Sequence, residues 1–200
     1  SGQLQQAIET LKAVTSKSAH YKEADMNMAV AYFNLGQFDN ALRKYDEIIA
    51  AYPEANNAYN FRGQCHLEAG EYEKAVTDFT EFLRLTPEFS TGYNFRGQAY
   101  LKLKDYEKAE VDFTTMIALE PGSSISHEFR GRARIGLKKY AEAILDLNRA
   151  AAIAPTDADI FYFLSKAQSG IGNTAESARN LTLARQLNPG VVERNEKVSE

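Results

Sequence analysis

Apolar and small positions recur along the chain with a period of 34 residues. The five prolines, Pro53, Pro87, Pro121, Pro155 and Pro189, keep that spacing. A small residue recurs at Ala29, Gly63, Gly97, Gly131 and Ser165, and a second at Ala41, Ala75, Ala109, Ala143 and Ser177. An aromatic marks Phe38, Tyr72, Tyr106 and Tyr140, with Thr174 in the last unit, and a large residue marks Tyr45, Phe79, Phe113, Leu147 and Leu181. Each unit predicts two helices. In the second unit Tyr59, Phe61, Cys65 and Leu67 fall at helical spacing and lead into the turn Glu68-Ala69-Gly70-Glu71. A second helix follows from about Tyr72 to Leu85 and stops before Thr86-Pro87, where proline cannot donate the next helical hydrogen bond. The small sites let the two helix backbones approach, while the large ones fill the space around them.

A helix–turn–helix of this period, with large–small, aromatic, alanine and terminal proline sites, resembles the tetratricopeptide repeat (TPR) family. The resemblance divides the chain into a partial repeat over residues 1–21 and full repeats over 22–55, 56–89, 90–123, 124–157 and 158–191. Residues 192–200 are left as a polar tail, either an end helix or the start of a linker. In the partial repeat Ala7, Leu11 and Val14 match a second helix alone, so a longer parent protein that completes this repeat upstream is expected. The tryptophan that the family often carries near each repeat start is Tyr59, Tyr93, His127 and Phe161 here, and Asp25 in the first full repeat. The fold implied is all-α, a right-handed superhelical solenoid of about eleven helices with a concave and a convex face.

Two polar positions vary together. Arg62, Arg96 and Arg130 occur in the same repeats as Asp78, Asp112 and Asp146, sixteen residues on. Where the arginine is replaced by Met28 or Leu164, the aspartate becomes Lys44 or Asn180. Each pair lies equally far from the turn on antiparallel helices, so a charge-assisted contact between the helices is expected.

The resemblance also implies that the first helix of each repeat lines a groove for a protein partner. Carried onto this sequence, it selects Asn57, Asn60 and Gln64, then Asn94 and Gln98, then Glu128 and Arg132, then Tyr162 and Lys166. Asparagine and glutamine both donate and accept, which suits the main chain of an extended peptide across the middle three repeats. Arg132 and Lys166 suit an acidic side chain or a terminal carboxylate. Some relatives clamp the C-terminal tails of heat-shock chaperones. Here Phe61 and Phe95 stand where clamp asparagine or arginine would be, with Phe129 and Phe163 continuing the row, which argues against that clamp. A homo-oligomer through an open apolar end at Leu4, Ile8 and Leu11 is the alternative mode.

Composition narrows the remaining classes. The 200 residues are 44% apolar and 25% charged with a net charge of −4, which suits a mildly acidic soluble protein rather than a nucleic-acid binder. The run Arg130–Lys139 in the fourth repeat gathers five positive charges, and binding of nucleic acid or an anionic surface through it is a lesser alternative, since the charges fall on different helix faces. No apolar run is long enough for a membrane span, and no basic-then-apolar signal precedes the first helix. Ser1-Gly2 resembles a cloning junction, so a targeting signal could lie upstream of it; a cytoplasmic location is favoured. His20, His66 and His127 lie in separate repeats without metal-ligand spacing, and Cys65 stands where Ala99 and Ala133 stand in later repeats. Gly170-Ile171-Gly172-Asn173-Thr174 falls in a turn, with no strand ahead of it to make a phosphate loop. The expectation is a non-catalytic scaffold without cofactor or metal.

Overall fold

The computed structural model describes residues 2–15 and 22–197, and within these the side chains of residues 11–15, of Lys22 and of Lys197 are outside the description. His20 and the packing of Leu11 and Val14 therefore lie outside the described residues. Twelve helices and no strand are found among the described residues. First helices are α2 (Lys22–Asn34), α4 (Asn56–Glu68), α6 (Ser90–Lys102), α8 (Ser124–Gly136) and α10 (Ala158–Gly170), each of 13 residues. Second helices are α3 (Phe38–Ala51), α5 (Tyr72–Leu85), α7 (Tyr106–Leu119), α9 (Tyr140–Ile153) and α11 (Thr174–Leu187), each of 14. They are flanked by α1 (Gly2–Thr15) and α12 (Val191–Lys197).

The turn inside each repeat needs one residue in the left-handed region. Gly36, Gly70 and Gly172 take it at φ of 71°, 75° and 79°, while Lys104 and Lys138 take it at 60° and 59°. At Gly70 the chain reverses so that Glu71 N–H reaches the His66 carbonyl at 2.8 Å, which satisfies a carbonyl of the last helical turn.

The helices form two compact units, Ser1–Ala99 and Tyr100–Glu200, with the boundary inside α6. The core of the first gathers Ile8, Met28, Ala29, Tyr32, Ala41, Tyr45, Ile48, Ala58 and Cys65. Aromatic rings join successive repeats. Phe61 stacks on Tyr45 with centroids 6.1 Å apart, and Phe95 stacks on Phe79 at 5.5 Å. These rings explain why phenylalanine holds those positions: each closes apolar area between one second helix and the next first helix, about 2 kcal/mol per ring. Gly63 is required because an added Cβ would sit 2.9 Å from the Phe79 ring.

The sequence-derived ion pair is present here. Arg62 donates from Nε and Nη2 to both oxygens of Asp78, at 2.9 and 2.6 Å, and from Nη1 to Asp46 of the preceding repeat at 2.7 Å. The guanidinium thus ties its own helix pair together and fastens it to the preceding second helix. Arg96 and Asp112 fall in different units. Leu4 and Ile8, expected to form an open apolar end, pack instead into the core of this unit, Ile8 being fully buried against it. They turn inward because α1 lies on α2 as a second helix would.

In the second unit Phe129 stacks on Phe113 at 5.3 Å, repeating the pattern. Arg130 grips Asp146 through Nε and Nη2 at 2.8 and 2.7 Å. Arg134 also reaches Asp146, at 2.7 Å, and with Lys139 holds Glu110 at 2.7 and 2.6 Å. Arg130, Arg134 and Lys139 of the basic run are therefore bound up in carboxylates of their own unit. The expected polar tail is a helix. Val191 enters a cluster with Ala158, Tyr162 and Ala184, and Arg194 and Asn195 donate to Asp159 at 2.6 Å.

Candidate functional site

Within each first helix the candidate residues are three or four positions apart and so share one side of that helix, and their surroundings differ from helix to helix. In the first unit α4 carries Asn57, exposed, with Asn60 and Gln64 half-buried, and α6 carries Asn94 and Gln98, also half-buried. Gln98 donates from Nε2 to Asn94 Oδ1 at 3.0 Å, an i,i+4 pair that leaves the Asn94 amide N–H groups and the Gln98 carbonyl uncommitted. The Asn60 Oδ1 atom is buried and has no partner among the described residues.

In the second unit Glu128 and Arg132 take the same places on α8 that Asn94 and Gln98 take on α6. Glu128 is only 7% exposed, and its carboxylate lies 3.6 Å from Arg132 Nη1. Burial, aided by Asp157 and Asp159, pushes its carboxyl up to about 7 against the opposing pull of Arg132. The Arg132 guanidinium lies against two rings, 4.7 Å from the Phe129 centroid and 4.5 Å from that of Phe163. Burial holds its basicity below the usual arginine range. Lys102, at the end of α6, is likewise lowered by burial and by the charge of Arg132.

The last pair, on α10, is less available than expected. Tyr162 is 3% exposed because α12 and Phe163 cover it. Lys166 lies over the Tyr162 ring at 5.2 Å and faces Glu196 of α12 at 3.8 Å. The chain's own last helix engages this part of the face, a contact the polar composition of the tail concealed.

Two further groups have structural settings. Burial pushes the Cys65 thiol up to about 12, so it stays protonated. His66 lies against Glu71 at 2.6 Å and Asp78 at 3.8 Å, as part of the helix-pair contact. A shallow cleft beside Arg62, Thr77, Asp78 and Glu81 belongs to that same ion pair. No cluster of metal-ligating side chains occurs among the described residues, and none of their helices is long and apolar enough to cross a membrane.

Paired helices of constant length on a 34-residue period, stacked ring on ring, are the signature of one repeat type. The family model described as Tetratricopeptide repeat matches residues 26–88, 66–124 and 96–158. The chain belongs to the tetratricopeptide repeat family. Solved TPR structures share its fold at low identity. YrrB, "a TPR protein with an unusual peptide-binding site", superposes with a TM-score of 0.79 at 18% identity, covering 95% of this chain and 99% of that one. MamA from Desulfovibrio magneticus RS-1 superposes at 0.80 and 20% identity, covering 86% and 98%. A tetratricopeptide repeat protein from Parabacteroides merdae ATCC 43184 superposes at 0.78 and 22%, covering 90% and 71%. No curated protein sequence matches the chain. The TPR array is a scaffold type consistent with protein–protein interaction and, as a family, generally non-catalytic.

Proposed function

We infer that this TPR protein binds an extended peptide segment of a partner along the face of its first helices. The reading is carried by the amide groups of α4 and α6. Asn94 and Gln98 hold one another and keep one donor group and one acceptor for a ligand. Amides recognise main chain and tolerate many side chains, so affinity arises from backbone pairing while neighbouring positions select the sequence. The peptide-binding site ascribed to YrrB, a protein of the same fold, is in keeping with this mode.

The test is a peptide selection on the wild-type protein, followed by affinity measurement on an Asn60→Ala, Gln64→Ala, Asn94→Ala, Gln98→Ala variant. Loss of two or more hydrogen bonds of about 1 kcal/mol each lowers affinity roughly tenfold or more. Undiminished affinity of every selected peptide for the variant defeats the reading.

A further inference from the structure

The amide pair on α6 is replaced on α8 by an acid and a base at the same helix positions, Glu128 and Arg132, and the acid is nearly as buried as the core. A buried carboxylate on a recognition face is a poor contact for a ligand. It is well placed as an internal partner for the guanidinium one turn along the helix. Phe129 and Phe163 both lie against that guanidinium, with ring centroids 4.7 and 4.5 Å away, and Glu128 occupies part of what they leave, 3.6 Å from Nη1. The second cation nearby is Lys102, close enough to Arg132 for the two to repel. Two like charges held together create a site that an external anion would relieve.

We propose that Glu128 is a proton-operated placeholder: ionised, it occupies the edge of Arg132, and neutral, it yields Arg132 and Lys102 to a carboxylate of an acidic peptide. This rests on the reading that the first-helix face receives a peptide, and it specifies the ligand chemistry and the regulation at α8.

The charged groups facing Glu128 are Arg132 on its own helix and Asp157 and Asp159 at the start of α10. Asp159 is already held by Arg194 and Asn195, so it does not compete for Arg132 at full strength. Burial outweighs the attraction of Arg132, and Glu128 changes charge near neutral pH, with its value raised to about 7. Below that pH the carboxyl is neutral and the guanidinium edge is available. Above it the edge is taken. A ligand that needs the neutral form sees its dissociation constant divided by the neutral fraction, about 0.9 near pH 6 and about 0.1 near pH 8, so binding tightens roughly tenfold on acidification.

A fluorescein-labelled penta-aspartate peptide, whose side chains stay ionised across this range, is the probe. Its affinity is measured by anisotropy near pH 6 and pH 8 at one ionic strength, for the wild type, Glu128→Gln and Arg132→Gln. The wild type should bind roughly tenfold tighter near pH 6, Glu128→Gln should bind equally tightly at both, and Arg132→Gln should be weak at both. The wild-type comparison needs no variant to fold, and thermal melts check the other two. Equal wild-type affinity at the two pH values overturns the proposal, as does a pH dependence that survives in Glu128→Gln, which would assign it to histidine. Failure of both wild type and Glu128→Gln to bind the probe also overturns it. None of these outcomes touches the amide-face reading, which is measured with selected peptides on α4 and α6 variants.

Discussion

Lys44 Nζ lies 3.2 Å from Asp25 Oδ1, across the first helix pair of the first unit. Asp25 occupies the site held by Tyr59 and His127 in later repeats, and Lys44 the site held by Asp78 and Asp146. The same two places bring His127 Nδ1 within 3.5 Å of Asp146, so the first full repeat sets an ion pair of its own where the fourth sets an imidazole against a carboxylate. An aspartate that looks damaging to packing by its type is matched by a lysine nineteen residues on. The side chains of this pair are 20% and 32% exposed, whereas Asp78 in the Arg62 pair is 4% exposed.

That difference in burial decides what each pair contributes. A double-mutant cycle of Arg62→Met and Asp78→Leu, read by urea denaturation, should give a coupling of about 2–3 kcal/mol, because Arg62→Met strands a buried carboxylate, whereas Arg62 keeps Asp46 in Asp78→Leu. The corresponding cycle at Lys44 and Asp25 should give about 0.5 kcal/mol. The larger coupling should appear mostly as damage in Arg62→Met, which leaves the Asp78 carboxylate buried with only His66 nearby. Equal couplings in the two cycles would contradict the assignment.

Lys104 and Lys138 hold the left-handed turn position that glycine holds in the other repeats. A side chain there costs roughly 1–2 kcal/mol, of which glycine's greater unfolded-state freedom returns somewhat under 1. Lys138→Gly and Lys104→Gly should each raise stability by about 0.5–1 kcal/mol, measured as a rise in denaturation midpoint at unchanged slope. A fall in midpoint in both variants would show that the turn does not require that conformation.

The repeat, its helices and its ion pairs were legible because each rests on a pattern that recurs every 34 residues. The periodic prolines, the small–large sites and the joint change of arginine with aspartate report packing that every middle repeat must solve alike. What the sequence hid is singular. Of the two readings open for the tail the end helix holds, docked through Val191 and Val192, which have no periodic partner to announce them. Glu128 looks like any surface acid, and its burial beside Arg132 follows from the packing of α8 and not from any recurring residue type. The left-handed turns were hidden where lysine stands in for glycine.

Glu128 also makes stability depend on pH. Its value in the folded protein is raised to about 7, above the ordinary carboxyl range of the unfolded chain, so the folded state holds the proton more tightly. The associated stability is fully present below the unfolded value and is lost as pH rises through about 7. Melting temperature should fall between about pH 5 and pH 8 in the wild type, with a contribution on the order of 2–3 kcal/mol, and this part of the fall should be absent from Glu128→Gln. A melting profile of Glu128→Gln parallel to the wild type would remove Glu128 as its source.

The last helix should stabilise its neighbours without affecting distant repeats. Val191 is fully buried, so Val191→Asp places an unpaired charge in the cluster of Ala158, Tyr162 and Ala184 and should cost about 3 kcal/mol or more locally. Each helix of a repeat array gains its stability chiefly from adjacent helices. Amide hydrogen exchange should therefore accelerate in α10 and α11, while α3 and α4, packed on one another in the first unit, keep the wild-type rate. Tyr162 and Lys166 would at the same time lose the cover of α12, so Arg194→Ala, which removes only the contact with Asp159, should show a milder form of the same local effect. Uniform acceleration through every helix would mean that the array unfolds as one cooperative body, and unchanged exchange in α10 would mean that α12 is not docked on it.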